Sequence, residues 1–111
     1  MSTDAPGSHV QLAAALRSRV ADTGTLEPGL RRAILARAGG GNAAPEPYDA
    51  LAKQVGEDSF RVTDAQVDAV LEETGSEKDT FEVILTAAIG AGLRRWDAAG
   101  KAIREAEDAA T

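Results

Sequence analysis

The chain reads as an all-α bundle of four to five helices with a long C-terminal helix. Three observations predict this. Apolar residues recur in steps of three and four in every long segment. Glycine and proline fall between those segments rather than within most of them. Phe60-Arg61-Val62 is the only short alternating stretch, and a helix-start signal explains it better than a strand does.

The tail Met1–Gly7 (MSTDAPG) is polar and reads as disordered, leaving 8–111 as a single domain. Ser8 is a candidate N-cap for a helix over His9–Ala21, with Val10, Leu12, Leu16 and Val20 apolar. Asp22–Gly24 ends it. Leu26-Glu27-Pro28 places proline and an acid in a first turn. Leu30, Ile34, Leu35 and Ala38 then form an apolar stripe, with Arg31, Arg32 and Arg37 on the wetter side. Gly39-Gly40-Gly41 stops this helix.

Asn42–Pro47 is a loop, because two prolines spaced two apart do not fit inside a helix. A short helix over Pro47–Val55 follows, with Tyr48, Leu51 and Val55 on one side, then a turn at Gly56–Ser59. Thr63 and Gln66 form a capping box, and Val62 with Val67 forms a hydrophobic staple. Val67, Val70 and Leu71 point inward and Gly75 closes this helix. Ser76 caps the last helix. Its expected core stripe is Phe81, Ile84, Leu85, Ala88, Gly92, Trp96, Ala99 and Ile103, with Val83, Ile89 and Leu93 widening the apolar face.

Composition excludes several chemistries. The 111 residues suit one domain, and a 4% aromatic content requires a core of Ala, Leu, Val and Ile. With no cysteine there are no disulfides, thiolate nucleophiles or Cys-based zinc sites. His9, the single histidine, stands near the N-terminus, so neither a His metal cage nor a His-dependent triad can assemble within one chain. No acidic loop has calcium-loop spacing, and no metal or other cofactor is expected. The net charge of −6 disfavours nonspecific nucleic-acid binding. That charge is uneven. Residues 1–45 carry five Arg against three acids (+2), whereas residues 46–111 carry seven Lys/Arg against fifteen acids (−8). These halves can pair within the fold or between subunits, or stay solvated. No run of about 20 apolar residues is present to span a bilayer and no signal segment precedes the first helix, so a cytoplasmic location is expected.

The order of elements LEPGLRRAILARAGGG, RVTDAQVDAVLEETG and SEKDTFEVILTAAIGAGLRRWDAAGKAI resembles the carboxymuconolactone decarboxylase / alkylhydroperoxidase D-like family over residues 26–103. Peroxidase members of that family carry Cys-x-x-Cys-x-x-x-His with a glutamate one helix upstream. In one register those places hold Asn42, Pro45, Asp49 and Leu30 here; in the next they hold Ala43, Glu46, Ala50 and Arg31. Neither supplies a catalytic group. The decarboxylase branch's acid–base histidine is absent too. The resemblance therefore implies a catalytically silent member, a structural or partner subunit of a homo-oligomer or of a related enzyme. Family members are commonly trimers or larger rings.

Four residues are candidates for a small-acid site. Glu82 is a general base if buried and a solvated edge residue if not. Arg94 and Arg95 can grip a carboxylate or phosphate, or can pair with Asp97 and snorkel over Trp96. Tyr48 is a hydrogen-bond donor or a rim residue. No catalytic residue is assigned. Ile89, Gly90, Gly92, Leu93 and Trp96 are the expected oligomer interface, because helix glycines cost about 1 kcal/mol each and signal close packing. Gly39–Gly41 follows a helix, not a strand, and is a stop signal rather than a phosphate loop.

Overall fold

The computed structural model describes residues 6–110, with side chains from residue 10 onward. Of the expected tail 1–7, residues 1–5 lie outside the described residues, as does the His9 side chain. Pro6 and Gly7 are already helical, so the first helix starts before Ser8 and Ser8 is not its N-cap. Five α-helices follow in order: α1 Pro6–Asp22, α2 Pro28–Ala38, α3 Tyr48–Asp58, α4 Asp64–Thr74 and α5 Glu77–Ala110. A 3-10 turn, Ser59–Arg61, joins α3 to α4. The expected all-α bundle with a long last helix is what forms, and no strand occurs among the described residues.

Local chemistry sets the helix ends. The Glu27 carboxylate accepts from the Gly29 and Leu30 amides, which caps α2 and lowers the Glu27 carboxyl below its ordinary range. Thr63 and Gln66 form the reciprocal capping box, at 3.2 and 3.0 Å. Val62 and Val67 both pack on the core, as the staple requires. Gly75 closes α4 in the left-handed conformation (φ 67°), and Ser76 Oγ accepts from the Asp79 amide to open α5.

The core is Leu26, Ile34, Ala38, Leu51, Ala52, Val55, Val70, Val83, Ala87 and Ala91. Here α2 and α3 pack on each other and on one side of α5. Glycines permit this closeness. A Cβ on Gly56 would stand 2.3 Å from the Ala38 carbonyl oxygen, and one on Gly90 would stand 2.3 Å from that of Leu35. Gly56 is therefore not the expected turn: α3 continues through it to Asp58, because the α2 backbone occupies the space of a side chain.

Three further expectations need correction. The α1 stripe Val10, Leu12 and Leu16 stays exposed, and Ala13 and Ala21 are buried instead. Arg31 is not on a wet face. It is 1% exposed, and its guanidinium donates to the carbonyls of Ala21 and Leu26, tying the α1–α2 turn. The α5 core face is also not the expected stripe. Thr80, Val83, Thr86, Ala87, Gly90, Ala91 and Leu93 are buried, whereas Phe81, Leu85, Trp96 and Ile103 are 64, 46, 51 and 59% exposed. Small residues face inward because two helices press on that side, and the larger apolar side chains are left outside.

Candidate functional site: the outer face of α5 and a basic cavity behind it

The helix α5 has 34 residues, about 51 Å at 1.5 Å per residue. The molecule's longest dimension is 54 Å, so α5 runs its full length. From Arg94 to Ala110 every residue is exposed except the half-buried Gly100.

On this helix the outward residues Phe81, Leu85, Ala88, Gly92, Trp96, Ala99 and Ile103 fall within about 40° of one line at 3.6 residues per turn. The line is diametrically opposite Val83, which is fully buried. The pattern repeats every eleven residues: Phe81, Gly92 and Ile103 are one set, Leu85 and Trp96 a second, Ala88 and Ala99 a third. An eleven-residue period is close to a whole number of helical turns, so the stripe runs nearly straight. It is also symmetric about Gly92, with members at 4, 7 and 11 residues to either side. A Cβ on Gly92 would meet nothing within 4 Å. Sequence reasoning found these residues but assigned most of them to the core; their eleven-residue symmetry was the missed signal.

The five expected interface residues separate. Gly92 and Trp96 lie on the outward stripe, and the partly buried Ile89 flanks it. Gly90 and Leu93 are buried within the subunit, Gly90 against the backbone of Leu35.

The four small-acid candidates do not converge. Glu82 reaches the turn before α2, where its carboxylate accepts from the Thr25 and Leu26 amides, both at 2.9 Å, with Arg31 Nε at 3.8 Å. Burial pushes this carboxyl up; the two amide bonds, Arg31 and the Thr25 hydroxyl outweigh it and hold it below its ordinary range. That is the reverse of a base with a raised pKa. Tyr48 opens α3 and packs on the core, its phenol pushed up by burial and by Glu73 and Asp79. Arg95 reaches the Gly56 carbonyl at 3.5 Å.

Arg94 is placed differently. It stands between two cavities on either side of the Gly39–Gly41 turn, of about 350 and 200 Å³. The larger is lined by Arg17, Arg32, Leu35, Ala36, Gly90 and Asp97 among others. Arg17 pairs with Asp97, Arg32 with Asp22, and Arg37 with Asp49. The basic first half of the chain thus pairs partly within the fold. Arg94 makes no hydrogen bond or ion pair with a described residue. Among the described residues, no group of three or more His, Asp or Glu is placed to hold a metal ion. Among the described residues, no helix is long and apolar enough to cross a membrane.

Compared with protein-family models, curated proteins and solved structures, the chain matches none.

Proposed function

We propose that this chain is a non-catalytic assembly subunit that pairs with a second copy of itself through the outer face of α5. The observation that carries the reading is the exposed apolar stripe symmetric about Gly92. Two copies laid antiparallel with Gly92 opposite Gly92 set Ala88 against Trp96, Leu85 against Ala99, and Phe81 against Ile103. Large side chains then meet small ones along most of the seam, and the two glycines let the helices approach at its centre. Trp96 has the size and amphipathic character of an interface anchor.

Charge favours this orientation. Lys78 and Glu107 lie on the same flank of the stripe, fourteen residues before and fifteen after Gly92. An antiparallel pair brings each lysine to the partner's glutamate. A parallel pair in register would level lysine with lysine and glutamate with glutamate, with neither meeting its opposite charge along that flank. The absence of cysteine from the chain and the dispersal of the acid–base candidates agree with a structural role. The resemblance to a family of oligomers points the same way.

Light scattering tests the reading. The expected result is a dimer, or a multiple of dimers, at micromolar concentration that Gly92→Leu reduces to monomer. A wild-type monomer at high micromolar concentration contradicts it.

A further inference from the structure

We infer that the cavity between α1, α2 and α5 binds a small monocarboxylic acid, with the carboxylate on Arg94 and its apolar body against Leu35 and Ala36. This inference stands on observations separate from the α5 seam. On the helical wheel Arg94 points about 160° away from Gly92, so the cavity and the seam occupy opposite sides of α5.

The cavity has the shape and chemistry for such a ligand. Its volume of about 350 Å³ lies at the small end of small-molecule sites, which run from roughly 300 to 1,000 Å³. Its floor is laid down by the packing of the fold: Gly90 against the α2 backbone at Leu35, and the end of α2 at Gly39 and Gly41. Leu35 and Ala36 supply an apolar wall on α2. Three arginines line the space, Arg17, Arg32 and Arg94, in a chain whose net charge is −6.

Their states differ in a way that selects one of them. Arg17 is held by Asp97 and Arg32 by Asp22, so these two are already neutralised. Arg94 has no partner of either kind among the described residues. A Cβ on Gly40 would fall 3.1 Å from its Cζ and Nη1, so the guanidinium lies close over that glycine, where a larger residue would crowd it. A planar guanidinium takes a carboxylate through two parallel N–H donors, which a lysine ammonium cannot do. One unneutralised guanidinium matches one negative charge. That charge balance and the apolar wall select a monocarboxylate over a phosphate dianion. On its other side Arg94 borders the smaller cavity with Arg37, Lys53 and Glu57.

The test is a two-dimensional amide NMR titration of the whole chain with sodium benzoate, sodium butyrate and inorganic phosphate at matched ionic strength. The expected result is saturable shifts at Gly39–Gly41 and Gly90 with the two carboxylates and weaker, non-saturating shifts with phosphate. R94Q and R94K should each weaken carboxylate binding at least about tenfold, with R94K failing because it keeps the charge but loses the fork. Wild-type-like binding by R94K would overturn the bidentate assignment, and by R94Q the site itself. Equal saturation by phosphate would overturn the choice of a carboxylate. Shifts confined to other residues, or none, would overturn the proposal entirely.

Discussion

Arg31 Nε and the Glu82 carboxylate stand 3.8 Å apart beneath the turn that joins α1 to α2. Arg31 holds that turn through the carbonyls of Ala21 and Leu26, and Glu82 holds it through the amides of Thr25 and Leu26. The two side chains bind opposite polar faces of one loop and balance each other's charge. This arrangement fixes α1 and α2 against α5, and it makes Glu82 a structural carboxylate.

Glu82→Ala should therefore destabilise the fold by about 1–3 kcal/mol, since it leaves the Thr25 and Leu26 amides and the buried Arg31 guanidinium without their carboxylate. Chemical denaturation at neutral pH checks this. A change below about 0.5 kcal/mol, the level of an ordinary surface substitution, would show that the turn holds without it.

The same carboxylate gives a pH dependence of known sign. Its folded pKa lies below the ordinary value of 4.5, so its contribution is full above that value and is lost as pH falls through the lower, folded one. Glu82→Gln should be less stable than wild type at neutral pH and should lose less stability on acidification. Denaturation midpoints from neutral pH down to about pH 3 compare the two proteins across the carboxylate range. Parallel pH profiles would remove Glu82 from the linkage.

The two glycines of α5 should respond in opposite ways. Gly90→Ala puts a Cβ 2.3 Å from the Leu35 carbonyl oxygen and forces α2 and α5 apart, so it should lower the melting temperature. Gly92→Ala meets open space within the subunit and gains up to about 1 kcal/mol of helix propensity in the monomer. A melting series run at low protein concentration, where monomers dominate, separates them. Equal destabilisation by both would contradict the packing described for Gly90.

Thr63→Ala should cost about 0.5–2 kcal/mol, since it removes the side-chain half of the capping box. A urea melt measures this directly, and a neutral result would mean that the staple of Val62 and Val67 is sufficient alone.

Helix number, order and most boundaries were legible in the sequence because caps are local: Thr63 with Gln66, Ser76 and Gly75 each act within a turn of where they stand. The faces of the helices were not legible in the same way. On α5 the most apolar stripe was read as the core, yet Val83, Ala87, Gly90 and Ala91 are the inward set. Hydrophobicity alone ranks Phe81 and Trp96 above Ala87 and Gly90, but the tight approach of α2 and α3 admits only small side chains there. Arg31 escaped for a related reason. Nothing in its neighbourhood in sequence distinguishes it from Arg32, and its burial depends on carbonyls at the end of the preceding helix and the turn that follows it. Of the small-acid candidates, Arg94 was legible as a cation on an apolar helix, but its cavity depends on the packing of three helices.

The absence of native cysteine allows one measurement to test the α5 pairing most directly. Single cysteines are placed at Phe81 and at Ile103, and each protein is oxidised alone and as an equimolar mixture. The antiparallel seam sets residue 81 against residue 103 of the partner and holds the two copies of residue 103 about 33 Å apart, the rise over 22 residues. The account predicts disulfide-linked dimers in the mixture and almost none from either variant alone. Efficient linkage of the Ile103→Cys protein to itself would contradict the antiparallel register while leaving pairing through α5 in place. Light scattering that finds only monomers would contradict pairing altogether.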